Sequence, residues 1–373
     1  MSVEVTIYRT VQEVEPFVPV WADLAQRGPL YVPPFDDLLD AIRQPGADFR
    51  FIALAQSGQI EALVCLFLWQ GERTIWLSQI RLFRLKVPMA GLFGGTIAGT
   101  VDRQSGDALL AAILAEPKAG LIDLGDTPID GGLYQAARSL GRGQSVHDNP
   151  RGATRRALPL ADGIAPYLAS LRASTRKAVQ RDCRLFERLK PTFRSFSTPD
   201  EVESFLRDAA PLSQRTHQVK LGVMLKNDEA HQTKFRALAE AGRLRACIAY
   251  VDLHPCAFAW GDLSHGTLYF RMTGYNPEMR RHCAGTAILF HLLETLGADP
   301  ACGFFDFGVR DMDYKARFGT IVIPSTSLSI ARWSSPAACF ALNIERLMDR
   351  LKDKGAALLG GATLARIRRA MRR

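Results

Sequence analysis

Hydrophobic and polar positions along this chain follow two periods, and the switches between them mark its elements. Residues 2–9 carry Val3, Val5 and Ile7 at every second position and read as a strand, followed by an amphipathic helix over residues 11–24. Pro29–Pro34 is a turn and Phe35–Ile42 a short helix. Phe51–Ala55 and Ile60–Gln70 flank Gln56-Ser57-Gly58-Gln59 and predict a hairpin, with Thr74–Phe83 as a further strand. Gly91–Thr100 reads as a glycine loop, Gly106–Leu114 as a helix and Gly120–Gly125 as a strand. A long helix is predicted over residues 164–189, and further helices over 199–209, 228–241 and 340–351.

The densest pattern lies between Thr267 and Gly319. Thr267–Gly274 alternates as a strand, and Tyr275–Ala284 is a polar loop with Asn276-Pro277 as its turn signal. Gly285 opens an apolar run at helical spacing, Ile288, Leu289, Leu292, Leu293 and Leu296, that stops at Gly297. Gly303–Val309 is a short buried strand bearing one acid, Asp306; a polar turn at Arg310–Asp313 and a short helix with Tyr314, Lys315 and Phe318 follow. This order belongs to an α/β fold that holds a ligand where two parallel strands diverge.

The first half repeats it. FIALAQSGQIEALVCLFL, TIWLSQIRLF, a glycine loop, a helix, GLIDLGDTP and LYQAARSLG stand in the order of LRACIAYVDLHPCAFAWGDL, TLYFRMTGY, a basic loop, a helix, FFDFGVRD and DYKARFG. Asp123 aligns with Asp306, and Tyr134 with Tyr314. A duplicated fold follows, with the connection at Gly141–Pro159 as its boundary: residues 1–150, 151–335 and a basic helical tail over 336–373. The first copy has no basic residues beside its glycine loop and reads as a degenerate scaffold or an acceptor-binding half.

The candidate chemistry centres on the second copy. A helix opening Ala284-Gly285-Thr286-Ala287 leaves backbone N–H groups unpaired, and small side chains let a large anion approach them, which suits a phosphate. Arg280, Arg281 and His282 stand just ahead and add charge. Asp306 is either one half of a buried ion pair, with Lys315 or an arginine, or a base. Tyr314 is a core aromatic or a proton donor. Cys283, near a helix start, is a packing residue or a nucleophile, and His217, without companions at metal-ligand spacing, is a loop histidine. Arg172 and Arg176 share a helix face, solvated or phosphate-binding.

Gly285-Thr286-Ala287, with Arg281 close to the basic position ahead of it and His282 at that position, resembles the acyl-CoA pyrophosphate motif of the GNAT acyltransferases, Gln/Arg-x-x-Gly-x-Gly/Ala. Tyr314 and Phe318-Gly319 resemble that superfamily's Tyr-x-x-x-Gly-Phe, with the last pair reversed. The stretch Tyr167–Lys177, with Arg172, Arg176 and Lys177 at the basic positions, is similar to the Leu-x-x-x-x-Arg-x-x-x-Arg-Arg pattern of its CelD/BcsL-like branch, related to the FemAB proteins, in which two acetyltransferase-like halves are joined. The resemblance implies an α/β (α+β) fold of two GNAT-like domains, each a mixed twisted sheet flanked by helices. It implies acyl-CoA, or a related thioester, as donor, bound by Arg280, Arg281, His282 and Ala284–Ala287, and a saccharide, lipid precursor or amine as acceptor, possible in polysaccharide or envelope metabolism. Tyr314 would be the general acid, Asp306 the base and Lys315 a contact to phosphate or acyl carbonyl. The FemAB kinship also admits aminoacyl-tRNA as donor, or a site that has decayed to a binding module.

Composition narrows this picture. The excess of 47 Lys+Arg over 38 Asp+Glu gives +9, which favours anionic partners: coenzyme phosphates, nucleic acid or a lipid surface. Seven cysteines without a CxxC predict a reduced, cytoplasmic chain with no metal. No signal peptide and no apolar run of about 20 residues is present, which predicts a soluble protein. In residues 356–373, Arg366, Arg368, Arg369, Arg372 and Arg373 accompany Leu358, Leu359, Leu364, Ile367 and Met371 with no acid, a composition for weak membrane-surface contact or for a solvated tail.

Overall fold

A computed structural model describes residues 3–77, 80–141, 143–149, 154–215, 224–309 and 312–350. His217 and residues 356–373, with the expectations attached to them, lie outside the described residues. Along the chain run β1 (Val3–Tyr8), α1 (Val11–Val14), α2 (Val18–Ala25), α3 (Phe35–Ile42), β2 (Asp48–Gln56), β3 (Gln59–Leu77), β4 (Ile80–Leu92), β5 (Ala98–Gly99), α4 (Arg103–Ala115), β6 (Leu121–Pro128), α5 (Gly132–Arg138) and β7 (Gln144–Asn149). Then come β8 (Arg155–Pro159), α6 (Ile164–Ser170), α7 (Ala173–Glu187), β9 (Thr192–Phe196), α8 (Val202–Gln214), α9 (Glu229–Glu240), β10 (Leu244–Val251), β11 (His254–Ser264), β12 (Thr267–Tyr275), α10 (Ala284–Gly297), β13 (Phe304–Asp306), α11 (Asp313–Phe318), β14 (Ile321–Ile323) and β15 (Ser325–Arg332). Residues 336–350 are helical, α12.

Several predicted elements are redrawn by local chemistry. The helix over 11–24 is cut by a 3-10 turn, Glu15–Phe17, because Pro16 and Pro19 remove backbone donors. The helix over 164–189 breaks at Leu171 and Arg172, both in extended conformation, next to Ser170, whose hydroxyl donates to the Tyr167 carbonyl at 2.7 Å. Gly71 does not end a strand: β3 pairs with β4 from Leu66↔Leu92 to Leu77↔Ile80, and this continuous ladder carries the chain through the glycine. The connection after Gly141 is itself two strands, β7 and β8.

The chain divides into two units, residues 1–20, 36–150 and 325–373 in one and residues 21–35 and 151–324 in the other. In the first, the sheet runs β1-β2-β3-β4-β6-β15-β7, with β5 on β3. Leu66, Leu68, Ala90, Ile122 and Leu124 pack one face against Leu109, Leu110 and Ile113 of α4 and Leu133 and Ala137 of α5. In the second, the sheet runs β14-β8-β13-β12-β11-β10-β9. One of its faces buries Ile288, Leu292 and Leu296 of α10 with Val179 and Phe186 of α7, and the other buries Phe205 and Leu206 of α8 with Phe235 of α9. Complete burial of each such side chain contributes roughly 1.5–3 kcal/mol. Each sheet holds one parallel pair among the described residues, β4 with β6 and β12 with β13, so the two halves share the order strand, helix, strand, short helix. These are two mixed α/β halves of the kind the repeat predicts.

Candidate functional site

β12 and β13 pair over Thr267↔Phe304, Leu268↔Phe305 and Tyr269↔Asp306, and there the ladder stops. β12 runs on to Tyr275 while the chain leaves β13, so the edge of β12 beyond Tyr269 has no strand partner among the described residues. Aromatic rings line this opening: Phe270 lies 5.3 Å from Phe305 and 6.0 Å from Phe307, centroid to centroid. Tyr314 of α11 stands edge-on to both flanks, 6.4 Å from Phe270 and 6.2 Å from Phe307. Burial pushes its hydroxyl pKa up to about 12, and the hydroxyl makes no hydrogen bond among the described residues. It is a protonated donor in want of an acceptor.

Behind the opening lies a sealed polar layer. The Asp306 carboxylate, with no accessible surface, accepts from Arg155 Nη2 at 2.6 Å, from the Tyr31 backbone N–H at 3.1 Å and from the Gly308 N–H at 2.7 Å. The ion pair foreseen for Asp306 therefore forms with Arg155 of β8 and not with Lys315. Gly308 has φ +67°, and a Cβ there would stand 2.7 Å from the Tyr269 hydroxyl oxygen, so the turn out of β13 takes only glycine. Lys315 donates from Nζ to the carbonyls of Phe307 and Val309, both at 2.6 Å, and is 7% exposed. Its ammonium is spent on holding this turn, which carries Tyr314 to the opening. Tyr31 continues the layer: its hydroxyl donates to Asp262 at 2.8 Å, and Asp262 also accepts from Arg243 and Arg271, each at 2.9 Å. Burial alone would raise the Asp262 pKa, but the two arginines outweigh it and hold the carboxyl below the usual range.

The wide end of the opening meets the start of α10. The Tyr275 ring lies against Gly285, where an added Cβ would be 2.9 Å from the ring. The glycine is thus required by its own protein's packing, which is a different reason from the approach of an anion. Pro277–His282 forms a 3-10 turn, and Cys283 enters the left-handed region at φ 61° to start the helix. The N–H groups of Thr286 and Ala287 donate to the Cys283 carbonyl, which leaves those of Ala284 and Gly285 as first-turn donors without a backbone partner among the described residues. Ala284 has no accessible surface and Ala287 almost none, so in the first turn of α10 a ligand can reach Gly285 and Thr286.

Cations gather here, Arg317 among them beside those the sequence singles out. Arg280 is exposed, and Arg281 donates from Nε to His282 Nε2 at 3.0 Å, which fixes that ring nitrogen as an acceptor. Arg317, one turn after Tyr314, brings Nη1 to 3.4 Å from the Thr286 hydroxyl and to 2.8 Å from Asp182, while its Nη2 is buried with no partner among the described residues. Asp182 also binds Arg181 at 2.9 Å. Burial first, then Asp182, push the Cys283 thiol pKa up, the reverse of an activated nucleophile. Tyr314, Gly285 and Thr286 thus border one opening, whereas Asp306 and Lys315 form its back wall. Arg317 and Asp182 were missed; the spacing of Arg317 from Tyr314 and the lone acid within Arg176–Arg184 were the available signals. Tyr31 and Arg155 had none. No group of three or more His, Cys, Asp or Glu among the described residues is placed to hold a metal.

Residues 173–316 match the family described as Acetyltransferase (GNAT) domain. The solved structure of FemX is similar at 14% identity over 88% of this chain and 97% of that one, with a TM-score of 0.58. A conserved protein of unknown function from Bacteroides thetaiotaomicron is similar at 13% identity over 88% of this chain and 100% of that one, with a TM-score of 0.52. Those likenesses are likenesses of fold. No characterised protein matches the chain in sequence.

Proposed function

We propose, from the match of residues 173–316 to the family described as Acetyltransferase (GNAT) domain, that the opening between β12 and β13 binds an acyl-CoA and that the acyl group passes to an amine or hydroxyl acceptor. The observation that carries this reading is the interrupted parallel pair, with Tyr314 at its apex and the first turn of α10 at its wide end. An extended amide-bearing arm would take the place of the missing strand along β12, gaining main-chain hydrogen bonds without displacing any. Its phosphates would meet the Gly285 N–H, the Thr286 hydroxyl, Arg280 and the partly exposed guanidinium of Arg317.

A thioester is already activated, so positioning supplies most of the rate. The acceptor's lone pair attacks the carbonyl carbon, the C–S bond breaks, and the electron pair leaves on sulfur. Tyr314 faces that sulfur. Since a thiol ionises at about 8.5 and the Tyr314 hydroxyl at about 12, complete proton transfer from the tyrosine runs uphill. Tyr314 therefore stabilises the leaving thiolate as a hydrogen-bond donor, and solvent completes its protonation. Asp306 and Lys315 act by holding the β13 turn, and an amine acceptor enters neutral and loses its proton to water.

Aminoacyl-tRNA as donor would call on the arginines of α7, but Arg176 is bonded to the Leu168 and Ala169 carbonyls and Arg181 to Asp182. The test is mass spectrometry of ligand released from the purified chain, followed by release of free thiol from acetyl-CoA with a panel of amines and saccharides. Co-purified CoA and acceptor-dependent thiol release support the reading; bound tRNA with no thiol release defeats it.

A further inference from the structure

The first unit carries a cleft that the acyl-donor reading does not use. β4 and β6 pair in parallel over Met89↔Leu121, Ala90↔Ile122 and Gly91↔Asp123 and part beyond, as β12 and β13 part beyond Asp306. Where they part lies a cavity of about 240 Å³ lined by Phe67, Trp69, Leu92 and Asp123 and by the backbone at Gly91 and Gly125. Its carboxylate is not sealed as its counterpart is. Asp123 Oδ1 accepts the Gly125 N–H at 3.0 Å, while Oδ2 has, among the described residues, a long ion pair to Arg73 Nη2 at 4.0 Å and no hydrogen bond, and the side chain is 35% exposed. Trp69 is 44% exposed, and its indole extends over Gly91, where a Cβ would come within 2.9 Å of the ring. None of the described residues that line it is basic, and the nearest cation to the carboxylate among them, Arg73, stands 4.0 Å off.

This set selects by charge. A carboxylate oxygen without a close donor accepts charge-assisted hydrogen bonds, and the open indole face attracts a cation. Coenzyme phosphates would meet a carboxylate and no cation among the lining side chains. A neutral sugar would gain the ring contact and a hydroxyl hydrogen bond to the carboxylate, but no pairing of charge. We infer that this cleft binds an organic ammonium group, carried by a molecule with an apolar or sugar face that rests on Trp69. The site stands independently of acyl transfer in the second unit.

Isothermal titration of the full chain with glucosamine, cadaverine and N-acetylglucosamine tests it. At least one of the two amines binds, and N-acetylglucosamine, which lacks the charge, binds about tenfold more weakly or not at all. The tighter amine shows whether the ammonium comes on a sugar or on an alkyl chain. Asp123→Asn keeps an oxygen for the Gly125 N–H, so the fold survives while amine affinity falls about tenfold; Trp69→Ala does the same by removing the indole. If Trp69→Ala unfolds, Trp69→Phe retains a ring and gives a smaller loss in the same direction. The inference is overturned if neither amine binds at about 10 mM, a concentration weak enough to register a contact worth only a few kcal/mol. It is also overturned if N-acetylglucosamine binds as well as the amines, or if the folded variants keep full affinity.

Discussion

At the scale of single residues, the two buried aspartates and the tyrosine separate structure from chemistry. Tyr314→Phe removes one hydroxyl that has no partner among the described residues, so stability should hold while turnover falls by about 10²-fold, the scale of one lost oxyanion-type donor. Steady-state rates of thiol release measure it. Because burial puts the Tyr314 pKa at about 12, the donor stays protonated, and its contribution should persist unchanged from neutral pH up to roughly pH 10. Asp306→Asn should behave differently. It leaves the Arg155 guanidinium buried without its anion, so a loss of roughly 3–5 kcal/mol in urea unfolding is expected, with turnover falling only as the β13 turn loosens. A variant of full stability and no turnover would make Asp306 the base instead. Asp262→Asn adds a pH signature. Its folded pKa is depressed, so the carboxylate stabilises the fold above its unfolded value, and that stability is lost as pH falls through the folded pKa. Wild type and variant should differ by roughly 2–4 kcal/mol at neutral pH and converge below about pH 4.

At the scale of elements, what could be read from the sequence depended on whether local pattern or distant pairing decides the structure. The stretch from β12 to α11 was legible because its period changes with each element and its boundaries fall on Gly285, Gly297 and Gly319. Strand β15 was not, since Ser325-Thr326-Ser327-Leu328-Ser329 offers little alternation and draws its stability from pairing with β6 and β7. That residues 325–332 join the first sheet while residues 21–35 join the second unit is a matter of pairing across the chain, which local periodicity does not encode. Asp306 was recognisable as a buried acid, but its partner was not: Arg155 is 151 residues away in sequence, whereas Lys315, the nearer cation, is turned to two carbonyls. The same contacts decide how the α10 terminus should be probed. Gly285→Ala would meet the Tyr275 ring and cost roughly 1–3 kcal/mol whether or not a ligand binds, so it reports on packing. Arg317 is the cleaner probe, partly exposed and with one nitrogen unsatisfied.

At the scale of the whole molecule, two similar halves have kept the same diverging strand pair and filled it with opposite chemistry. The second half closes its aspartate beneath a layer with Arg155 and Tyr31 and sets backbone donors and Arg317 at the rim; the first leaves Asp123 open beside Trp69. No helix among the described residues is long and apolar enough to cross a membrane. An acyl-CoA held in the second opening would show in calorimetric titration of the full chain with acetyl-CoA, in wild type and Arg317→Gln. Loss of one charge-assisted phosphate contact should weaken binding about tenfold, with the unfolding midpoint shifted by no more than the Asp182 pair accounts for, about 1 kcal/mol. Equal affinity in the folded variant, or no acetyl-CoA binding by the wild-type chain at all, would contradict it.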